Sequence, residues 1–127
     1  RSFARTIRLM TPSMTTSRVG DVVSVEFPFT DMQGRKRRPG VVLAGDTSDL
    51  LLARITTHEP RDSFDVQLDD WTVAGLPKPS TVRLMKLASL DVRLIHHTIG
   101  RVSAGDRTKL GQAIERMGLQ IAQAIRQ

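Results

Sequence analysis

The chain has 127 residues, enough for one domain around one core, and at 39% hydrophobic and 25% charged it does not have the composition of a disordered chain. It has no cysteine and no apolar run near the ~18–20 residues of a membrane helix, which excludes disulfide staples, thiolate metal sites and a helical membrane anchor, and suits a reducing compartment. The net charge of +6 is unevenly spread: residues 1–20 hold Arg1, Arg5, Arg8 and Arg18 with no acid, and the rest sets 15 basic against 13 acidic residues, so an acidic partner has to be met by local clusters.

Residues 1–19, rich in Arg, Ser and Thr, have the composition of a flexible basic lead, and we expect the domain to occupy residues 20–127. A transit segment, or a start at Met10 or Met14, suits the same composition. In Asp21–Phe27, Val23, Val25 and Phe27 alternate with Val22, Ser24 and Glu26, the pattern of a half-buried strand that Pro28 ends. A connection through Gly34 leads to four consecutive cations, Arg35, Lys36, Arg37 and Arg38, read as a basic loop. Pro39 fixes its own φ and biases Arg38 to extended backbone. Arg38 is therefore expected at the mouth of a second strand, Val41–Ala44, with its planar fork of donors facing an anion.

Leu50–Thr57 reads as a third strand buried on both faces, with Arg54 and Thr56 sharing one of them. Phe64, Val66 and Leu68 alternate with acids and Gln67 in a fourth strand, and residues 71–79 form a Pro- and Gly-rich loop. Ser80–Leu87 is a fifth strand, residues 89–95 hold one helical turn with Asp91 near its start, and Ile99–Val102 is a short closing strand. Ser103 and Asp106 resemble a capping box opening a helix. Its apolar stripe is Leu110, Ala113, Ile114, Met117, Ile121, Ala124 and Ile125. Gly111 and Gly118, two turns apart, each weaken it by ~1 kcal/mol relative to Ala and leave room for another backbone. These elements predict a mainly β chain with a C-terminal helix, built as a small half-open barrel.

The usual enzyme signatures are missing: no Gly-rich phosphate loop, no nucleophile elbow and no metal-ligand spacing. Adjacent His96 and His97 point apart and are not expected to share a metal; no metal or cofactor is expected. His58, just after the third strand, is placed either as an acid–base group or as a solvated loop histidine. Asp69-Asp70 reads as a turn. On the residues alone, the basic run is either a solvated loop or an anion site.

Five blocks occur in a telling order. They are Gly20-Asp21-Val22-Val23; Arg37-Arg38-Pro39-Gly40-Val41-Val42-Leu43; Ala53-Arg54-Ile55-Thr56-Thr57; Lys78-Pro79-Ser80-Thr81-Val82-Arg83-Leu84; and Leu90-Asp91 with Ile99-Gly100-Arg101-Val102-Ser103. Together they resemble the PemK/MazF-like toxins over about residues 20–125. The resemblance implies an SH3-like barrel of the CcdB/PemK/MazF type, usually a homodimer, acting in the bacterial cytoplasm as the toxin of a type II toxin–antitoxin pair. It implies metal-independent, sequence-specific cutting of single-stranded RNA by attack of the ribose 2′-hydroxyl, with a cognate antitoxin as inhibitor. It places catalytic roles on Arg38, Thr56 and Arg83, and RNA contacts on Arg35, Lys36, Arg37, Thr57 and His58. Some relatives carry a His or an acid where this chain has Met32-Gln33, and some have an Asp where it has Met85. Arginine is a poor general base, so Arg38 and Thr56 suffice, or His58 or Glu59 substitutes, or the chain binds RNA without cutting it well. The alternatives are a catalytically impaired RNA- or DNA-associated binding protein, or a gyrase-type inhibitor, on the same fold. A plain peptide-binding barrel fits less well, since one Trp, four Phe and no Tyr supply little aromatic groove.

Overall fold

Runs of Val, Ile and Leu between Asp21 and Arg101 build a single antiparallel sheet. The computed structural model describes residues 17–27 and 36–127. Among them lie six strands, β1 (Asp21–Glu26), β2 (Arg37–Gly45), β3 (Asp49–Thr56), β4 (Asp65–Gln67), β5 (Thr81–Asp91) and β6 (Ile95–Arg101), then helix α1 (Ala104–Ile125). The strand order is β4-β5-β3-β2-β1-β6. Among the described residues the two edge strands β4 and β6 do not pair, so the sheet is curled but open. The chain from Leu68 to Ser80 bridges that gap. Leu68 N–H donates to Ser80 C=O at 3.0 Å, and the turn at Gly75 packs on the backbone of Ile99 and Gly100 in β6.

The sheet buries both faces. Val22, Val41, Ile55, Val82 and Leu84 pack with Leu110, Ala113 and Met117 of α1. Val23, Val25, Val42, Leu50, Leu52 and Leu90 form a second cluster. Each fully buried Leu or Val contributes about 1.5–3 kcal/mol. This corrects the half-buried reading of β1: Val22 through Val25 are all buried, because alternate residues feed separate cores. Several bounds differ too. β2 begins at Arg37 rather than Val41, β4 is only Asp65–Gln67, β5 runs on to Asp91, and β6 starts at Ile95. The turn expected near Asp91 is a single 3-10 turn, Val92–Leu94, with the Asp91 carboxylate accepting from Arg93 N–H at 2.8 Å. The Arg93 guanidinium, which also donates to Asp91, lowers that carboxyl to about 2.

Residues 1–16 of the expected lead lie outside the described residues. Ser17–Val19 join the fold: Ser17 is buried, Arg18 N–H donates to Asp21 Oδ2 at 2.8 Å, and Val19 C=O accepts from Arg101 Nη1 at 3.0 Å.

Ser103 caps α1, accepting from Asp106 N–H at 3.2 Å. The reciprocal half of the expected capping box is replaced. Asp106, 1% exposed, turns away from the helix and accepts from Asp69 N–H at 3.0 Å and Asp70 N–H at 2.8 Å. Ser103 Oγ donates to Asp70 at 2.7 Å, so the helix start is stapled to the chain leaving β4. Asp106→Asn is expected to lower stability by about 2 kcal/mol, since it puts an NH2 group against an amide donor and removes two charge-assisted bonds. Chemical denaturation reads this as a shifted midpoint at constant slope.

The expected helical stripe is buried only at Leu110, Ala113 and Met117. Ile121 and Ile125 are exposed, because the 22-residue helix, about 33 Å long, overhangs the sheet beneath its first half. Beyond the helix's own turn, no atom among the described residues would come within 4 Å of a Cβ added at Gly111 or Gly118, so no described backbone uses the room they leave.

Candidate nucleic-acid interface

A cleft opens where β2 and β3 part. Their ladder begins at Gly40 opposite Arg54, and Pro39 brings no N–H to extend it. β2 nevertheless continues outward, with Arg38 opposite Val25 and Arg37 opposite Glu26 of β1. Phe27 supports this extension by packing over Gly40, where a Cβ would stand 2.6 Å from the ring. The part of the basic run that is described is thus largely strand. Arg37 and Arg38 belong to β2, a correction to the loop reading that follows from pairing with β1.

The cleft has a volume of about 410 Å³. β2 supplies Arg38 and Pro39, β3 and its exit supply Arg54, Ile55, Thr56, Thr57 and His58, the bridging segment supplies Leu76, Pro77 and Ser80, and β6 supplies Ile99. Among the described residues two arginines and no carboxylate line it, and their field favours an anion. Ile55, Leu76 and Ile99 give it an apolar floor. Thr56 Oγ1 accepts from His58 N–H at 3.3 Å, which turns the chain and leaves the hydroxyl proton to donate into the cleft. Ser80 Oγ donates to Lys78 C=O at 2.8 Å, so this buried hydroxyl serves the wall.

Of the residues singled out from sequence, Arg38, Thr56, Thr57 and His58 come together here. Lys36 and Arg37 are exposed and outside the lining. Arg35, Met32 and Gln33 lie outside the described residues. Arg83 is not part of the lining. It sits on β5 opposite Arg54 of β3 and Asp65 of β4, with Nε 3.2 Å from Asp65 Oδ1 and Nη2 3.2 Å from Asp62 Oδ2. The hydrogen bond to Asp65, with the charges of both acids, holds its guanidinium pKa above the ordinary value. Met85 is exposed on the same strand. Sequence reasoning left Arg54 out of the site, although its period-two spacing from Thr56 was a usable signal. Leu76, Pro77 and Ile99 reach the cleft through the docking of the bridging segment on β6, for which no local pattern exists. Among the described residues no three His, Asp or Glu cluster as metal ligands, and no helix is long and apolar enough to cross a membrane.

The model of the PemK-like, MazF-like toxins of type II toxin–antitoxin systems matches residues 18–118, and the chain belongs to that family. Its fold is similar to that of the Mycobacterium tuberculosis toxin MazF-mt6, at 23% identity and TM-score 0.62 over 76% of this chain and 93% of that one. It is similar to an endoribonuclease in complex with its cognate antitoxin from a mycobacterial species, at 18% identity and TM-score 0.63 over 79% and 93%. It is also similar to MazE–MazF from Deinococcus radiodurans, at 25% identity and TM-score 0.54 over 76% and 94%. No curated protein sequence matches the chain.

Proposed function

We propose that this toxin is an endoribonuclease that cuts single-stranded RNA in the Arg38–Thr56 cleft. The observation that carries this is the joining, in one 410 Å³ cleft, of two arginines, a threonine hydroxyl and a histidine above an apolar floor. A phosphodiester needs cations and donors, and an unstacked base needs apolar surface. The structural neighbour named an endoribonuclease supports the same activity.

His58 takes the proton of the ribose 2′-hydroxyl, and the 2′-oxygen attacks the adjacent phosphorus. Arg38 and Arg54 hold the charge that develops on the phosphorane oxygens, and Thr56 Oγ1 donates to one of them. The bond to the 5′-oxygen breaks, that oxygen is protonated by water from the open side, and a 2′,3′-cyclic phosphate remains. Lys36 and Arg37, exposed beyond the cleft, track the flanking backbone. The neighbours solved with antitoxins support a cognate antitoxin as inhibitor. We further propose a cytoplasmic homodimer; exposed Leu119, Ile121 and Ile125 on α1 suit a second copy.

The test uses antitoxin-free protein and a mixed-sequence single-stranded RNA in EDTA, with DNA of the same sequence beside it. New RNA ends should carry 5′-hydroxyls and cyclic phosphates, the DNA should stay whole, and cleavage should weaken as salt rises. Equal cutting of DNA would reject the 2′-hydroxyl route, and RNA binding without new ends would leave a binding module on the same cleft.

A further inference from the structure

We propose that Arg83 is a positioning residue that acts on cleavage through the loop carrying His58, without touching the phosphate; this rests on the endoribonuclease reading above. The loop runs from Thr57 to Phe64 between β3 and β4. Every residue from Thr57 to Ser63 is exposed, and Phe64 is half-buried, so little apolar burial holds the loop in place. Polar bonds hold it instead. Asp62 Oδ1 accepts from Phe64 N–H at 2.9 Å, and Asp65 Oδ2 accepts from Arg61 N–H at 2.8 Å. Asp65 N–H closes the turn on Asp62 C=O at 3.2 Å.

Each of these carboxylates thus gives one oxygen to the loop backbone and the other to Arg83. The Asp65 side chain is 1% exposed, and a buried carboxylate requires a cation beside it. One guanidinium answers both acids because Nε and Nη2 are separate donors held in one rigid plane, Nε for Asp65 and Nη2 for Asp62, which the single ammonium of a lysine does not reproduce. At its other end the loop is fixed by His58 N–H on Thr56 Oγ1. Arg83 therefore clamps the far end of a segment whose near end places His58 at the cleft. With both acids bound to it and no place in the cleft lining, its charge serves the loop.

Two variants test this, Arg83→Gln and Asp62→Asn, each made in wild-type and in His58→Ala protein. Asp62→Asn keeps a carbonyl oxygen for Phe64 N–H and sets an amide NH2 against Arg83. The expected result is a fall in kcat of roughly 10-fold for each variant with KM nearly constant, and less than about 2-fold further loss when either is added to His58→Ala. Amide hydrogen exchange should quicken across residues 58–64 in both variants while β5 keeps its protection. If Arg83 instead meets the phosphate, freeing it from Asp62 leaves kcat unchanged or raises it, and Arg83→Gln multiplies with His58→Ala; either outcome overturns the proposal. Unaltered loop exchange overturns it as well. Asp62 is a partly exposed side chain, so its variant stays informative should Arg83→Gln fail to fold. Should the wild-type protein cut no RNA, the endoribonuclease reading fails by itself, and the exchange measurement still decides whether Arg83 holds the loop.

Discussion

Arg38→Ala is expected to lower RNA cleavage by about 10²–10³-fold while leaving the denaturation midpoint close to that of the wild type. The size follows from where the guanidinium stands. It is half-buried at the cleft end of β2, beside Pro39, where the described lining adds another arginine and no carboxylate. A donor fixed at the site of developing charge needs no reorganisation during the reaction, and that is the interaction the alanine removes. The fold is expected to survive because backbone pairing builds the strand. Backbone pairing with Val25 is available to alanine, and Pro39 and the Phe27–Gly40 contact are untouched. Arg38→Lys should fall in between, since a single ammonium keeps the charge and loses the fork. Cleavage by Arg38→Ala at the wild-type rate would move the charge-stabilising role to Arg54 alone.

The parts of the molecule legible in the sequence are those whose signals are local. Ser103 as a helix cap, the third strand with its apolar run from Leu50, and the placing of Arg38 by Pro39 each depend on a few neighbouring residues. The family blocks carried the fold class and brought Arg38 and Thr56 into one site on paper, and the two residues share one cleft in the structure. Long-range relations were not legible. Val22 looked solvent-facing beside Val23 because a single strand does not announce that a helix eighty residues later will cover its other face. Asp106 looked like half of a capping box because its spacing from Ser103 fits, while its true partners, the Asp69 and Asp70 amides, are set by the path of the chain after β4. The roles of Asp62 and Asp65 were hidden for the same reason: neither an acid in an exposed loop nor one opening a short strand gives a sign that an arginine on a separate strand will meet it.

Gly100→Ala is expected to cost about 3 kcal/mol of stability and to impair cleavage as well. Gly100 lies in β6 opposite Val22, and the bridging segment crosses directly over it. A Cβ there would stand 2.2 Å from Ala74 O and 2.6 Å from Ala74 C, so backbone, and not a yielding side chain, is in the way. The turn has no easy retreat, because Gly75 holds φ at +85° and its own Cβ position is 2.6 Å from Ile99 O. To admit one methyl group the bridge must lift off β6, drawing buried Ala74 and Leu76 out of the core. The same movement separates Leu76 and Pro77 from Ile99, the wall and floor of the cleft. Arg38→Ala and Gly100→Ala therefore leave different signatures. The first is expected to lose activity at constant stability, and the second to shift the denaturation midpoint and raise KM, because the surface proposed to receive the base is no longer formed. Gly111→Ala is the control for adding a methyl group as such: beyond the helix's own turn no described atom would come within 4 Å of the new Cβ, and alanine favours a helix interior by about 1 kcal/mol, so that variant should be no less stable than the parent. A wild-type midpoint for Gly100→Ala would mean that the bridge does not rest on β6, and the cleft would then lack the wall on which its apolar floor depends.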